Sequence, residues 1–488
     1  MKRRQFLQSL STGAAFAALA PLVPGINCAS ANAAPSSVKL NIVSRSIDID
    51  GKSAKVFGLL GANGKPGFEL MQDQDYEVEL VNTLAEETMI HWHGLTPKWE
   101  MDGVPGMPMP MLKGGESRKF LLPSGKTGTH WMHAHTLQEQ ALMAAPLIVR
   151  PSTSADQDEQ DVVVLLHDFS FKTPEELLAG LKSAGMNGAM PGMNMQGMDH
   201  SKMGGMNMNG MNHSNIPGMA GGMMGMDTND IEYDAYLAND RTLADPEIIS
   251  VEKGGKVRLR IINGATATGF SIDTGQLSAN IVAVDGQGII PISQQYFPLA
   301  MGQRVDILLN IPPEGGAFPV LALREGAPQQ AGIILATKGA QVTKISPTGS
   351  SVGPLLSLDA ESLLRAPGSQ SKAADQTFNV MLSGDMGSYN WRMTSNEELR
   401  VTKGERVRIQ MMNHSMMSHP MHLHGHHFQI VNLNGNPVNG AVRDTVLVPP
   451  MASVAFEFDA NNPGGGWAFH CHHLYHMASG MMSFIPYV

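Results

Sequence analysis

The chain has 488 residues, a net charge of −10 at pH 7, 42% hydrophobic residues and only 16% charged residues. This length allows a large buried core and, at roughly 100 to 200 residues per domain, predicts three domains. The negative charge argues against nucleic acid as a partner and favours cations. The 52 glycines and 30 prolines favour a turn-rich β protein over a helical bundle, and the 35 methionines and 18 histidines point to soft or borderline metal ions.

The first 33 residues predict an export signal. "MKRRQFLQSL" places Arg3 and Arg4 before an apolar pair, and a run of small apolar residues with an "ANA" site follows. We therefore expect a twin-arginine signal peptide at residues 1–33, the twin-arginine export machinery as a partner, and a periplasmic protein without stable membrane insertion. A membrane anchor is the alternative, but the apolar run is short and interrupted by Gly and Pro. Lipidation of Cys28 has weak support, because the preceding "GIN" is a poor context for lipid attachment.

Three β-rich blocks follow, and a similar phrase recurs in each. The phrases are "DQDYEVELVNTLAEETMIHWHG", "KGGKVRLRIINGATATGFSIDTG" and "KGERVRIQMMNHSMMSHPMHLHG", each with a turn, an alternating strand, an Asn and a second strand. The repeat predicts an all-β fold of three β-sandwich domains at residues 38–151, 156–339 and 375–488, with a linker at 340–374. Only the first and third phrases end in histidine clusters, so the second domain is predicted to carry no metal ligands.

A methionine-rich segment interrupts the second block at residues 186–226. It holds 13 Met and 10 Gly, no aromatic residue and one β-branched residue, Ile216. Such a composition cannot build a packed core, so we expect a flexible insertion. A plain linker is one interpretation. Binding of a soft ion such as Cu(I) or Ag(I) is the one we favour, because thioethers replace the serines of an ordinary linker.

Four clusters contain the residues with metal chemistry. They are "HWHG" (His91, His93), "HWMHAH" (His133, His135), "HPMHLHG" (His419, His422, His424) and "HCHHLYHMASGMM" (His470, Cys471, His472, His476, Met481). A single HxH pair is weak evidence, since alternate residues of any strand share a face. Four clusters at the ends of two blocks make a purely structural explanation improbable.

The tripeptide "HCH" has a geometric consequence. In an extended segment His470 and His472 face one way and Cys471 the other, so one tripeptide can serve two sites on opposite faces. Two imidazoles, one thiolate and a weak axial Met form the ligand set of a blue, type 1 copper site. Loss of Cys28 with the signal would leave Cys471 without an intrachain disulfide partner, which favours metal ligation for this thiol.

The four motifs resemble the copper signature of the multicopper oxidases, the family of bacterial laccases, the periplasmic copper-efflux oxidase and the copper-resistance oxidases of the CopA and PcoA type. The resemblance spans essentially the whole mature chain. It implies three cupredoxin-like Greek-key domains, four copper ions (one type 1, one type 2 and two type 3), and one-electron oxidation of a substrate coupled to reduction of O2 to water. Cys471 would supply the covalent electron path between the two sites.

The resemblance also implies which residues bind each copper ion, by their positions in the four motifs. The type 1 ligands are matched by His419, Cys471, His476 and Met481, the type 2 ligands by His91 and His422, and the type 3 ligands by His93, His133, His135, His424, His470 and His472. Five other histidines lie outside the pattern and are expected to be neighbours of the site: His130, His414, His426, His427 and His473.

Asp102, in "EMDGVPG", matches an acidic residue that lies near the copper cluster in this family and is a candidate proton donor. A simple "DG" turn is the alternative. The chain also departs from the family. Met477 stands where the copper-efflux oxidase has a proton-relaying acid, and Ser415 stands where it has an acid near the substrate copper. These differences leave the proton route open.

Three functions remain for the experiments to separate. The first is oxidation of Cu(I) in copper tolerance, with Met416, Met417, Met421, Met477 and Met482 as candidate substrate-binding residues. The second is a general laccase that oxidises phenols and aromatic amines. The third is a non-catalytic periplasmic buffer for Cu(I), which the complete ligand set argues against. The oligomeric state is not determined by the sequence.

Overall fold

The computed structural model describes residues 36–152, 158–186, 229–368 and 372–488. The predicted export signal and residues 187–226 of the methionine-rich segment lie outside these ranges. Within them the chain forms thirty strands in six sheets, which confirms the predicted all-β fold. None of the helices in the described residues is long and apolar enough to cross a membrane.

The first sandwich packs a sheet of order β2-β1-β4-β6 against a sheet of order β3-β8-β7-β5. Strand β4 shows why these segments form a sandwich, because alternate residues Tyr76, Val78 and Leu80 are buried while their neighbours are partly exposed. The strands are β1 Ser36–Ile49, β2 Lys52–Gly61, β3 Phe68–Met71, β4 Asp75–Asn82, β5 Ile90–His91, β6 Ser117–Pro123, β7 Gly128–Ala134 and β8 Ala144–Arg150.

The second sandwich has sheets of order β10-β9-β12-β17-β14-β15 and β11-β19-β18-β13-β16. The strands are β9 Glu159–Phe169, β10 Ala235–Ala238, β11 Ile248–Val251, β12 Lys256–Asn263, β13 Phe270–Asp273, β14 Ser278–Val284, β15 Gln287–Ser293, β16 Tyr296–Leu299, β17 Arg304–Asn310, β18 Ala317–Arg324 and β19 Gln330–Thr337.

A helix, α1 (Pro174–Met186), follows β9 and was not anticipated from the sequence. Its signal is "TPEE", a capping box. The Thr173 hydroxyl accepts from the Glu176 amide at 3.2 Å, and the Glu176 carboxylate accepts from the Thr173 amide at 2.8 Å. Pro174 occupies the first helical position, where its missing N–H costs nothing.

The third sandwich joins a seven-stranded sheet, with the path β21-β20-β22-β28-β24-β25 and β26 paired to β24, to a sheet of order β27-β23-β29-β30. A short helix, α2 (Leu474–Ala478), separates the last two strands. The strands are β20 Gln376–Ser383, β21 Arg392–Ser395, β22 Arg406–Asn413, β23 His419–Leu423, β24 Phe428–Leu433, β25 Asn436–Pro437, β26 Val442–Arg443, β27 Thr445–Val448, β28 Ser453–Asp459, β29 Trp467–Cys471 and β30 Met482–Ile485.

A buried arginine connects all three sandwiches next to the site described below. Arg304 of β17 donates to both carboxylate oxygens of Asp444 at 2.6 Å, and its Nε donates to the Thr129 carbonyl of β7 at 3.0 Å. The Arg304 and Asp444 side chains are at most 1% exposed. Removing one partner of such a bidentate pair would leave an uncompensated buried charge, so this contact fixes how the sandwiches meet.

Candidate metal centres

Eight imidazoles meet between the first and third sandwiches. Antiparallel pairing places His91 of β5 opposite His133 of β7, and His422 of β23 opposite His470 of β29. Each of the other four histidines lies two residues after one of these four. All eight residues are no more than 6% exposed. The eight are His91, His93, His133, His135, His422, His424, His470 and His472.

Three groups of ring nitrogens face inward within this cluster. In the first group, the Nε2 atom of His470 lies 3.3 Å from that of His135 and 2.9 Å from that of His424. In the second, the Nε2 atoms of His91 and His422 are 3.4 Å apart.

The third group consists of His93, His133 and His472. The ring centroid of His472 is 5.0 Å from that of each of the other two. Nδ1 of His93, Nε2 of His133 and both ring nitrogens of His472 are buried without a hydrogen-bond partner. A buried nitrogen that lacks a partner is costly, so three such rings together form a site for a ligand that supplies the missing bonds.

Asp102 binds two rings of the cluster from outside. Its carboxylate accepts from Nδ1 of His424 at 2.7 Å, and its backbone carbonyl accepts from Nδ1 of His91 at 3.0 Å. Gly103 keeps this turn in place, because its φ of +85° favours glycine and an added Cβ would lie 1.9 Å from the Ile90 carbonyl oxygen. Asp102 therefore fixes the tautomers of both rings and turns their Nε2 lone pairs inward.

Two carboxyl residues that sequence reasoning missed have the same role. The Asp444 carboxylate accepts from Nε2 of His93 at 3.1 Å, and its carbonyl accepts from Nδ1 of His422 at 2.8 Å. Glu139 accepts from Nδ1 of His133 at 2.9 Å. Burial, followed by the nearby Asp168, raises the pKa of Glu139 well above its ordinary value, which favours a neutral carboxyl.

The imidazoles are in the form that binds metals. Burial is the main cause that lowers their pKa values, and in most of them the neighbouring rings lower the pKa further. Neutral rings leave one lone pair free on the nitrogen that is not protonated. The pKa is lowered for His93, His133, His135, His419, His422, His424, His472 and His476, and for His470 it falls to about 4.

A second centre forms on the other face of β23 and β29. The Nδ1 atoms of His419 and His476 are 3.2 Å apart, and the Cys471 sulfur lies 3.7 Å and 3.9 Å from them. Met481 is fully buried beside this triangle, and its carbonyl accepts from the Cys471 amide at 3.1 Å. Burial raises the pKa of the Cys471 thiol, so binding of a metal ion would have to displace its proton.

The outer nitrogens of the two imidazoles have different partners. Nε2 of His419 lies 2.7 Å from the Ser415 hydroxyl, whereas Nε2 of His476 lies 3.1 Å from the Asp230 carboxylate. The Tyr389 hydroxyl also donates to Asp230. Asp230 was not predicted, because it comes from the second domain and lies 246 residues before His476 without any local motif.

The candidate substrate-binding methionines occupy different environments. Met416 is 51% exposed and Met417 is buried, and both line a cavity of about 330 Å3. Met421 is fully buried in β23 opposite Cys471. Met477 in α2 and Met482 in β30 are half-buried. The structure therefore brings Met416 and Met417 together at an accessible cavity and places the other three elsewhere.

Of the five histidines outside the family pattern, His130, His426 and His427 lie near the eight-imidazole cluster, His473 lies beside His476 of the second centre, and His414 is exposed. His426 contacts the His424 carbonyl at 3.0 Å and the Tyr487 hydroxyl at 2.6 Å. His427 contacts the Gly94 carbonyl at 3.1 Å. His130 is buried, and a Cβ added at Gly94 would lie 2.5 Å from its Nδ1 atom.

Comparison with known proteins identifies the family. Three family models, each described as multicopper oxidase, match residues 41–154, 161–340 and 368–486. The chain is a multicopper oxidase. Its relatives include Multicopper oxidase MmcO of Mycobacterium tuberculosis, 29% identical over 432 residues that cover 84% of this chain and 79% of the relative. Copper resistance protein A of Escherichia coli is 24% identical, with 91% of each chain covered.

Solved structures share the fold of this oxidase. Fet3p, a multicopper oxidase that functions in iron import, aligns with a TM-score of 0.73 at 17% identity and covers 93% of this chain and 90% of that one. The laccase from Botrytis aclada aligns with a TM-score of 0.69 at 20% identity, with 94% and 89% covered. The three sandwiches are thus cupredoxin-like domains, as the resemblance implied.

The donor atoms of this multicopper oxidase fit copper. Imidazole nitrogen suits copper well, and two imidazoles with a thiolate and a neighbouring thioether are the set that holds blue copper. The unpartnered nitrogens of the eight-imidazole cluster would gain the bonds that the protein does not supply. Bound copper contributes one-electron redox chemistry, and the protein contributes the fixed ring orientations and the buried carboxyl groups around them.

Proposed function

We propose that twelve side chains of this oxidase hold four copper ions. His419, Cys471, His476 and Met481 would bind the type 1 ion, and the eight-imidazole cluster the other three. His91 and His422 would bind the type 2 ion, and the remaining six imidazoles the type 3 pair. The inward nitrogen distances of 2.9–3.4 Å and the unpartnered nitrogens support this division. We also propose domain limits at residues 38–151, 156–339 and 375–488.

Electrons would pass from the type 1 site to the cluster through one short segment. Cys471 faces His419 and His476, while its neighbour His470 contacts His424 on the opposite face at 2.9 Å. The tripeptide "HCH" is thus a covalent link of a few bonds. Four one-electron oxidations would balance reduction of one O2 with four protons to two waters, and Asp102 is the proposed proton donor because it contacts two cluster rings.

We propose Cu(I) as the principal substrate and copper tolerance as the physiological role. The observation that carries this proposal is the cavity lined by Met416 and Met417. In the sequence Met417 lies two residues before the proposed type 1 ligand His419. Thioethers prefer Cu(I), and the Asp359 carboxylate in the same cavity favours a cation. The name of the Escherichia coli relative, the methionine-rich segment 186–226 and the twin-arginine motif of a periplasmic protein support the same role.

A phenolic or aromatic amine reductant is the second candidate. Most residues that line the same cavity are apolar, among them Leu355, Leu358 and Pro449. Aromatic rings fit apolar cavities that offer a few polar groups. Several relatives are named laccases, including Laccase-2 of Botryotinia fuckeliana at 23% identity.

Steady-state O2 uptake with Cu(I) and with 2,6-dimethoxyphenol tests the proposal. We expect the M416S/M417S double variant, and deletion of residues 186–226, to lower turnover of Cu(I) more than turnover of the phenol. M381S is the control, because Met381 is also an exposed methionine of the third domain. Equal losses with both substrates would refute Cu(I) as the principal substrate. A copper-loaded protein without a blue band or O2 uptake would instead support the Cu(I) buffer.

A further inference from the structure

His473 is the histidine of "HCHH" that the family pattern does not use. Its ring is buried and stacks on the ring of His476, with centroids 3.7 Å apart and planes inclined by 9°. It also caps helix α2, because its Nδ1 atom accepts from the His476 amide at 3.4 Å. His473 therefore contacts both the backbone and the ring of a proposed type 1 ligand.

The second nitrogen of His473 points to the same carboxylate that holds His476. Because Nδ1 accepts a hydrogen bond, Nε2 carries the proton of the neutral ring. This Nε2 atom lies 3.4 Å from the Asp230 carboxylate oxygen that accepts from Nε2 of His476 at 3.1 Å and from the Tyr389 hydroxyl. A protonated Nε2 offers no lone pair, so His473 is not an additional metal ligand. Its N–H makes no hydrogen bond and acts on the Asp230 carboxylate as a charge–dipole contact.

Helix capping alone does not account for this arrangement. Asn, Asp, Ser or Thr cap helices well, and a cap requires only one acceptor atom. His473 adds a face-to-face stack and a contact with a carboxylate whose side chain is fully buried. Two hydrogen-bond donors, His476 and Tyr389, thus meet one oxygen of Asp230, and the N–H of His473 lies 3.4 Å from the same oxygen. His476 is held at its ring face by His473 and at its outer nitrogen by Asp230.

We propose that His473 is a positioning residue that acts with Asp230 to orient His476 and to set the reduction potential of the type 1 copper. The proposal rests on His476 being a type 1 ligand. A carboxylate bonded to Nε2–H of His476 makes the imidazole more electron-rich, which favours Cu(II) over Cu(I). His473 draws part of that negative charge to its own N–H and so moderates the effect on His476.

Two substitutions separate the contacts of His473. H473N keeps a helix-capping oxygen but removes the stacked ring and the contact with Asp230. H473F keeps a ring of similar shape but removes both nitrogens. Exposed His414 of the same domain provides the matched control, H414N. The measurements on the copper-loaded protein are the type 1 reduction potential by redox titration, the blue absorption band, and the thermal unfolding temperature.

We expect a lower type 1 potential in H473F and H473N, a higher potential in D230N, and no shift from H473F when D230N is already present. The blue band should change in H473N, where His476 loses its stacked neighbour, while the near-ultraviolet band of the type 3 pair stays as in the wild type. H414N should match the wild type throughout. If H473F does not fold, H473N, whose capping atom is retained, still tests the contact.

A wild-type potential and blue band in H473N would overturn the proposal and leave His473 as a helix cap that affects only the unfolding temperature. Equal shifts from H473F with and without D230N would also overturn it, because the two residues would then act independently. Absence of a blue band in the wild type would refute the ligand assignment together with this proposal. A wild-type protein with a blue band but no Cu(I) turnover, whose variants show the expected potential shifts, would instead refute only the choice of substrate.

Discussion

Glu139 offers a sharp test of whether the buried carboxyl groups control copper binding. Its Oε2 atom accepts from Nδ1 of His133 at 2.9 Å, and both side chains are at most 3% exposed. E139L removes this acceptor and leaves the His133 N–H with the Ala134 carbonyl, 3.1 Å away, as its remaining partner. E139Q retains an amide oxygen in the same place and matches the neutral carboxyl that the raised pKa favours.

The expected loss follows from that single bond. Because the Ala134 carbonyl still accepts from this N–H, the loss is that of one net hydrogen bond, about 0.5–1.5 kcal/mol. Loss of a hydrogen bond behind a metal-binding imidazole weakens metal affinity about 10- to 100-fold, which corresponds to about 1.4–2.7 kcal/mol. The two ranges overlap near about 1.4 kcal/mol, so E139L should release copper from the site of His133 at about 10-fold lower chelator concentration than the wild type. E139Q should stay within about threefold of the wild type on the same scale.

The assay is a competition titration with a copper chelator, followed by the near-ultraviolet band of the type 3 pair. The blue band provides an internal control, because Glu139 contacts no ligand of the type 1 centre in the described residues. Wild-type copper retention in E139L would show that the hydrogen bond to His133 does not orient the ring. An equal loss in E139Q and E139L would show that charge, rather than hydrogen bonding, is what His133 requires.

Three further substitutions address the copper sites and the pH dependence of stability. C471S should abolish the blue band and reduce O2 uptake to background, while copper analysis still finds the other three ions, because the eight-imidazole cluster keeps its ligands. D102N should slow O2 uptake by about 100-fold or more at unchanged copper content, because the amide still accepts from His424 but cannot donate the same proton. E325Q should alter the pH dependence of unfolding. Burial raises the pKa of Glu325 to about 7, so this carboxyl keeps a proton that the unfolded chain has released. The wild type should therefore lose about 3 kcal/mol of unfolding free energy as the pH rises from about 4.5 to above 7, and E325Q should not. Denaturant unfolding at pH 5 and pH 8, with the exposed Glu314→Gln as control, measures this difference, and parallel pH profiles would refute it.

The sequence predicts those features that depend on local spacing. Alternation along a strand predicts that the side chain of Cys471 points to one face of the sheet and those of His470 and His472 to the other. The structure shows this arrangement, with Cys471 beside His419 and His470 beside His424. The repeated phrases likewise predict the all-β fold, because each one contains an alternating strand whose buried side can be read from the residues themselves.

Features that depend on contacts between distant segments could not be predicted in this way. Glu139 and Asp444 bind rings of the cluster, yet nothing in their local sequence distinguishes them from surface acids. Asp230 approaches His476 from another domain, and its position follows only from the packing of the sandwiches. Helix α1 is a different case, because its "TPEE" capping box is a local signal that can be read from the sequence.

The position of Asp230 bears on Ser415 and Met477, the two residues that stand where the copper-efflux oxidase has acids. Family comparison alone suggests that the chain has lost two acids near its copper sites. The structure instead shows three buried carboxyl groups in contact with cluster rings, Asp102, Glu139 and Asp444, and one in contact with the type 1 ligand His476. Because Ser415 is neutral, Asp230 is the carboxyl group that contacts a type 1 imidazole among the described residues. The Asp230 side chain is fully buried, so its charge acts on the proposed type 1 copper and is shielded from an approaching cation. D230N should therefore change the oxidation of Cu(I) and of the phenol to a similar extent, and a loss confined to Cu(I) would show instead that Asp230 attracts the substrate.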